Sequence, residues 1–76
     1  MALYKNPTHL SQNNDPTFDV ELTPGTILLN SGIYRCTGCG DEVAANKNTP
    51  LPPQNHHQHR NGTPIRWKLL VAAIQI

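Results

Sequence analysis

The sequence predicts a small, mostly β domain whose fold depends on a bound metal ion. Its 76 residues include 37% hydrophobic and 14% charged residues, seven prolines and five glycines, which leaves little apolar surface for a core. Chains of fewer than about 70–80 residues usually need a disulfide, a metal ion or oligomerisation to be stable. Short apolar segments between turn residues favour strands, and a Cys-x-x-Cys motif followed by clustered histidines favours a metal site. A large enzyme fold, a multidomain protein and an all-helical bundle do not fit this length and composition.

Two parts of the chain differ in pattern. Residues 1–17 are polar, contain Pro7 and Pro16, and follow neither the period of a strand nor that of a helix. We therefore expect a flexible arm at residues 1–17. Residues 18–76 are expected to form a single β domain with an antiparallel sheet.

Four short segments of this domain are expected to be strands. The first alternates apolar and polar side chains, as a half-buried strand does, and the others are brief stretches that end at turn signals such as Pro24-Gly25. In chain order, these strands cover residues 18–23, 26–29, 33–36 and 42–45. Residues 46–55 hold three prolines and three asparagines, so we expect an irregular loop there.

The last apolar segment fits either a strand or a helix. Alternation favours a strand whose inward face carries Ile65, Trp67, Leu69 and Val71. A period of 3.6 favours a helix with one side formed by Trp67, Leu70, Val71 and Ile74. We choose a strand for residues 65–71, because the preceding segments are strands and Pro64 suits a strand start. Trp67 is then a core residue, and the outer face carries Arg66, Lys68 and Leu70, with Arg60 nearby.

Four residues have the spacing of a zinc site. Two residues separate Cys36 from Cys39, sixteen more precede His56, and two separate His56 from His59. This pattern resembles zinc sites with two Cys-x-x-Cys pairs 15–20 residues apart, with histidines in place of the second pair. Zinc binds cysteine sulfur and histidine nitrogen, and a closed structural site has four such ligands. We therefore predict one Zn²⁺ per chain, bound by Cys36, Cys39, His56 and His59.

Other interpretations of these residues stay open at this point. His57 with His59 is the alternative histidine pair, because neighbouring side chains on an extended backbone point to opposite faces. The two cysteines can instead form a redox dithiol, although residues 40–43 do not supply the helix that follows a thioredoxin-like motif. The histidine-rich loop can also hold copper or nickel.

The residues around the cysteines resemble a zinc ribbon. Gly32-x-Tyr34-x-Cys36-x-x-Cys39-Gly40, then Pro50-Leu51-Pro52-Pro53 and an aromatic strand, is similar to small bacterial zinc-ribbon proteins. The resemblance implies two hairpin-like knuckles on an antiparallel sheet. The chain departs from that pattern at residues 54–59, where Gln-Asn-His-His-Gln-His replaces a second Cys-x-x-Cys. Zinc ribbons serve many functions, so the resemblance implies no single one.

These features favour a structural zinc-binding module that mediates a macromolecular interaction, rather than an enzyme. The partner is expected to be a protein or a nucleic acid, although a net charge of +1 and the lack of a basic stripe give nucleic acid little support. The candidate contact residues are Tyr34, Arg35, Arg60, Arg66, Trp67 and Lys68. The alternative function is a small metal-dependent hydrolase or nuclease that uses the histidine-rich loop, which requires an open coordination position on the metal.

The sequence also bears on where the protein acts. Its longest apolar run, residues 69–74, is far shorter than the ~20 residues that span a bilayer. Its N-terminus lacks the apolar core of a signal peptide. We therefore expect a cytoplasmic monomer without a membrane span. Paired cysteines in that reducing compartment more often bind metal than form disulfides.

Overall fold

A three-stranded antiparallel sheet is the centre of the fold. The computed structural model of the protein describes residues 1–52 and 64–74. Strand β1 (Gly32–Cys36) lies between β2 (Glu42–Ala45) and β3 (Trp67–Ala72), and both neighbours run antiparallel to it. The small, mostly β fold predicted from the sequence is therefore confirmed.

Strands β1 and β2 form a hairpin around the two cysteines. Their register pairs Gly32 with Ala45 and Arg35 with Glu42. The aromatic and β-branched side chains of β1 favour extended backbone, and pairing with β1 holds the two alanines of β2 in the sheet although alanine is a weak strand former. The predicted strands at 33–36 and 42–45 are thus confirmed, the first beginning one residue earlier.

Strand β3 confirms the choice of strand over helix for the last segment, but a bulge changes its faces. Tyr34 pairs with Leu69 and Ile33 pairs with Val71, so Leu70 is an extra residue opposite this step of β1. Beyond the bulge, Val71 shares the outer face with Ile33, and Ala72 packs against the core. The prediction that Val71 shares a face with Trp67 is therefore wrong, because strict alternation does not continue through a bulge.

Gly32 permits the close approach of β3 near this bulge. A Cβ atom on Gly32 would lie 2.1 Å from the carbonyl oxygen of Val71, which is a backbone atom that cannot rotate away. Glycine inside a strand commonly marks a bulge or a close backbone contact. Gly32 is therefore required for the close packing of β1 against β3.

The predicted strand at residues 18–23 is wrong. A short 3₁₀ helix occupies Pro16–Asp19 instead, and the Asp15 side chain caps it by accepting a hydrogen bond of 2.9 Å from the Thr17 amide. This local capping and the fixed φ of Pro16 favour a helical turn over the weak apolar alternation. Within residues 18–23, only Leu22 forms a β-bridge, and its partner is Trp67 of β3.

The expectation of a regular strand at residues 26–29 is also wrong. This segment exchanges backbone hydrogen bonds with residues 48–51, including one of 3.0 Å from Leu28 to Thr49. The only bridge between the two segments joins Ile27 to Pro50. The ladder does not continue, because the amides of Thr26 and Thr49 donate to Thr23 and Asn46 within their own segments.

The core lies on one face of the sheet, beneath the two irregular segments. Trp67 is completely buried, as predicted, and the Tyr34 hydroxyl donates a hydrogen bond of 2.6 Å to the Asn30 carbonyl. The six buried core side chains are Leu28, Tyr34, Cys36, Leu51, Trp67 and Leu69. Among the described residues, no helix is long and apolar enough to cross a membrane.

Candidate metal centre

The two cysteines lie where β1 turns toward β2. Cys36 is the last residue of β1 and is completely buried, whereas Cys39 is exposed in the turn. No disulfide joins them. The pair therefore has one sulfur within the core and one at the surface of the same turn.

Backbone amides converge on the sulfur of Cys36. Burial raises the pKa of the Cys36 thiol, but hydrogen bonds from the backbone of Cys39, Gly38 and Arg66 and from the Cys39 side chain outweigh it, and the pKa falls from 9.0 to about 7. Each of these bonds favours the thiolate over the thiol. The thiolate is the form of cysteine that binds metal, so this turn favours the form of Cys36 that a metal ligand requires.

The shape of the turn depends on Gly40. Its φ of +81° is a conformation that residues with a Cβ rarely adopt. The Gly40 amide donates a hydrogen bond of 2.9 Å to the Cys36 carbonyl, and the Cys36 amide donates one of 2.7 Å to the Asp41 carbonyl. These bonds fold the turn back on itself and hold the Gly38 and Cys39 amides beside Cys36.

The segment that carries the histidine cluster is joined to the described structure at two points near the cysteine turn or its neighbours. Before the segment, the Pro52 carbonyl accepts a hydrogen bond of 3.3 Å from the Trp67 indole nitrogen. The backbone of Trp67 pairs with Cys36 across the sheet. After the segment, the Arg66 amide donates a hydrogen bond to the Cys36 sulfur, and the Arg66 carbonyl accepts one of 2.9 Å from the Thr37 amide.

The structure brings together two of the four predicted ligands. Cys36 and Cys39 are neighbours in the turn, whereas His56, His57 and His59 lie outside the described residues. Over residues 1–52 and 64–74, no group of three or more histidines, cysteines and acidic residues is arranged to hold a metal ion. The hydrogen bond from the Arg66 amide to Cys36 was not predicted, because a backbone N–H group has no signature in the sequence.

The predicted contact residues divide between the core and the surface. Tyr34 and Trp67 are buried in the core, so neither is exposed for contact. Arg35 lies on the outer face with an ion pair of 2.7 Å to Glu42. Arg66 and Lys68 are half-buried, and Arg60 lies outside the described residues.

A groove separates the N-terminal residues from β3. It measures about 1330 Å³ and is lined by residues of the arm, by Arg35 of β1 and the following Thr37, and by residues 68–72 of β3. The arm is held on one side by the Met1 ammonium, 2.7 Å from the Glu42 carboxylate, and on the other by the Pro16–Asp19 turn, which contacts β3. The sequence predicted no groove, because an unpatterned polar arm gives no indication of where it lies.

Comparison with known proteins reveals one clear relationship. No family model matches the chain, and no solved structure matches it. Protein L of Escherichia coli is 56% identical over 75 residues, which cover 93% of this chain and 86% of Protein L. Identity of this extent over nearly the whole length shows common descent. The chain therefore belongs to the same family as Protein L of Escherichia coli.

Proposed function

We propose that this protein is a structural zinc-binding module that presents a surface to a macromolecular partner. The metal ligands are Cys36, Cys39, His56 and His59. The observation that carries the proposal is the turn at Cys36, in which backbone amides surround a buried sulfur. A structural role follows from the four-ligand set, because four protein ligands close the tetrahedron of zinc and leave no position for a reacting water.

The hydrogen bonds to Cys36 support a metal rather than an inert thiol. Three backbone N–H groups, from Gly38, Cys39 and Arg66, stabilise a negative sulfur. Such bonds around a ligand tune the metal and fix the direction of the ligand. An inert core cysteine needs none of them, since it packs as a small apolar side chain.

The location of the chain ends supports the histidines as the remaining ligands. Pro52 contacts Trp67, the strand partner of Cys36, and the Arg66 amide contacts the Cys36 sulfur; the histidines fall between Pro52 and Arg66 in the sequence. A chain extends by at most about 3.3–3.6 Å per residue. His56 is four residues from Pro52 and His59 is seven from Arg66, so chain length allows each histidine to reach the cysteines.

A reducing environment suits this site, and we place the protein in the cytoplasm as a monomer. When bound, zinc supplies the folding energy that the small core lacks. The chain contributes a deprotonated Cys36 and Cys39, and neutral imidazoles at the two histidines. The hydrogen bonds to Cys36 keep its sulfur oriented toward the turn.

Elemental analysis of the purified chain tests the proposal. We expect about one zinc per chain, and loss of most of that zinc in Cys36→Ser and in His59→Ala. His9→Ala is the matched control, because His9 is an exposed histidine of the arm. Its variant should keep the full zinc content. The proposal is wrong if the wild-type chain carries no metal without chelators present, or if His9→Ala loses zinc as His59→Ala does.

A second measurement identifies the histidine pair. Imidazole nitrogen chemical shifts of the zinc-bound chain distinguish a ring with a coordinated nitrogen from an unbound ring. We expect coordinated rings at His56 and His59 and an unbound ring at His57. If His57 is coordinated and His56 is not, His57 replaces His56 as a ligand and the proposed zinc module stands. If none of the four imidazole rings is coordinated, the histidines are not ligands.

A further inference from the structure

The two cysteines differ in how far a reagent in solution can reach them. Cys39 is exposed, whereas Cys36 is completely buried among the core side chains. The chain neighbours of Cys39 are Gly38 and Gly40, which have no side chains to cover its sulfur. A small molecule therefore meets the sulfur of Cys39 and does not reach the sulfur of Cys36 directly.

The two sulfurs are close enough to react with each other. The Cys39 side chain donates a hydrogen bond to the sulfur of Cys36. The Gly40 amide donates one of 2.9 Å to the Cys36 carbonyl, which closes both cysteines into a single turn. Two cysteines can be bridged when their Cα atoms lie within about 7 Å and their Cβ atoms do not point apart. Cysteines whose sulfurs already contact each other need only a small movement to form a disulfide.

An exposed cysteine beside a buried one is the arrangement of a reversible oxidation site. Cysteines that respond to oxidants are solvent-accessible and often lie next to a second cysteine that resolves the first oxidation product. In this turn, Cys39 has the position of the reacting cysteine and Cys36 that of the resolving cysteine. The burial of Cys36 also protects its sulfur from direct oxidation.

We propose that Cys39 and Cys36 form a reversible oxidation site, which a hydroperoxide converts into a disulfide. The inference rests on the proposed function, because it names how the zinc module is regulated. Thiolates bind metal, and a disulfide contains none, so oxidation removes two of the four proposed ligands at once. Reduction by a thiol restores both thiolates, and with them the metal site.

The oxidation takes place in two balanced steps. The Cys39 thiolate first attacks one oxygen of the hydroperoxide, the O–O bond breaks, and Cys39 becomes a sulfenic acid. The other oxygen leaves with a proton from solvent, as water or an alcohol. The Cys36 thiolate then attacks the Cys39 sulfur, so that the S–S bond forms and the S–O bond breaks. Hydroxide leaves and takes up a second proton, and the two sulfurs have together given two electrons to the peroxide.

Treatment of the zinc-loaded full chain with one equivalent of hydrogen peroxide tests the proposal. We expect most of the chain to lose two hydrogen atoms by mass spectrometry, which is the mass change of one disulfide. A colorimetric zinc indicator should show release of zinc in proportion to the disulfide formed. Dithiothreitol should reverse the mass change, and added zinc should then restore the metal content.

Peptide mapping assigns the oxidation to the cysteine turn. Trypsin cleaves after Arg35 and after Lys47, so one peptide of residues 36–47 contains both cysteines. The only methionine, Met1, lies outside this peptide. Oxygen added to the methionine is therefore not mistaken for oxidation of a cysteine.

Trapping with dimedone, which bonds to sulfenic acids, tests which cysteine reacts first. With dimedone present during peroxide treatment, the wild-type chain should carry the adduct on Cys39 and not on Cys36. The two serine variants are a matched pair. Cys36→Ser should form the Cys39 adduct at the wild-type rate, whereas Cys39→Ser should react at least about tenfold more slowly, because its remaining sulfur is buried. Trapping in the wild type decides the order even if a serine variant does not fold.

Several results would overturn the oxidation site. Both cysteines remaining as thiols after one equivalent of peroxide is one of them, and a dimedone adduct on Cys36 is another. Accumulation of sulfinic acid without a disulfide, or of disulfide-linked dimers alone, also contradicts a resolving role for Cys36. If oxidised glutathione forms the disulfide and hydrogen peroxide does not, the oxidant is a disulfide and the proposal is wrong.

Metal content separates failure of this inference from failure of the zinc module. A chain that carries zinc and keeps both thiols in peroxide contradicts the oxidation site alone. A chain without zinc that forms the disulfide with the first equivalent of peroxide contradicts the metal site and leaves the oxidation site in place. A disulfide that forms while zinc stays bound contradicts the regulation of the metal site by oxidation.

Discussion

The two faces of the sheet differ in what they do. The inner face holds the completely buried side chains of Cys36 and Trp67, together with Tyr34. The outer face carries Arg35, Lys68 and other partly exposed side chains beneath the N-terminal arm. In a chain this small, one face of the sheet supplies almost all of the packing.

This difference indicates how the metal and the core act together. Cys36 belongs to the buried cluster and is also a proposed ligand, so metal binding and core packing meet at one residue. Ion pairs of exposed side chains contribute about 0–1 kcal/mol to stability. The inner face should therefore respond strongly to substitution and the outer face weakly.

Metal removal is the largest expected effect. Structural zinc supplies an apparent free energy of about 10–16 kcal/mol in small zinc domains near neutral pH, which is as large as the whole stability of a typical domain, about 5–15 kcal/mol. We expect a chelator to unfold the inner face, with loss of amide dispersion across β1 and β3 in NMR spectra. Added zinc should restore the spectrum. An unchanged spectrum in chelator would contradict a metal-dependent core.

Truncation of the central core aromatic is expected to have the next largest effect. Trp67→Ala should lower the free energy of unfolding by about 3–5 kcal/mol, because it leaves a cavity among Leu28, Leu51 and Leu69. Denaturant titration of the zinc-bound chain measures this change. The neighbouring Lys68→Glu on the outer face is the control and should stay within about 0.5 kcal/mol. If both variants lower the free energy of unfolding equally, the two faces do not differ in their contribution to stability.

Gly32→Ala tests the close packing of β1 against β3. The added Cβ meets the Val71 carbonyl at 2.1 Å, so the strands must separate, and we expect a loss of about 3 kcal/mol. Gly25→Ala is the comparison, since Gly25 has a φ of +85° but open space around its Cβ position. Conformational strain alone should cost about 1 kcal/mol there. Thermal denaturation of both variants compares their losses of stability. A smaller loss of stability for Gly32→Ala than for Gly25→Ala would contradict the close contact.

The smallest expected effect concerns Glu42 on the outer face. Its hydrogen bond to the N-terminal ammonium and then its contacts with Arg35 lower the pKa of Glu42 below its ordinary 4.5. A lowered pKa stabilises the folded chain above pH 4.5, and this contribution disappears as the pH falls through the folded-state pKa. Thermal melts of the zinc-bound chain at pH 7 should show Glu42→Gln slightly less stable than the wild type. Glu21→Gln, at an exposed glutamate with no ion pair to the described residues, should match the wild type.

Much of the sheet followed from local pattern. The strands at 33–36, 42–45 and 65–71 were predicted from apolar segments between turns, and Trp67 was predicted as a core residue. The strand at 18–23 failed because Asp15 and Pro16 stabilise a helical turn locally. Alternation of only three apolar residues was too weak a signal to outweigh that capping.

The candidate site was predictable only in part. Spacing alone identified Cys36 and Cys39 as neighbours, because a chain with only two residues between them keeps them close in space. The Arg66 amide at Cys36 comes from 30 positions further along the chain, and no local pattern encodes it. The bulge at Leu70 likewise arises from the register between β1 and β3.

By itself the sequence determined the small β class and most of the short strands of the sheet, because these depend on residue type and on periods of a few residues. Only the tertiary structure decided that the bulge turns Val71 to the outer face and Ala72 to the core, and that a groove lies between the arm and the sheet. The physical reason is that strand register, close approach and groove shape arise from contacts between distant segments. Such contacts depend on the complete packing and not on any single stretch of the chain.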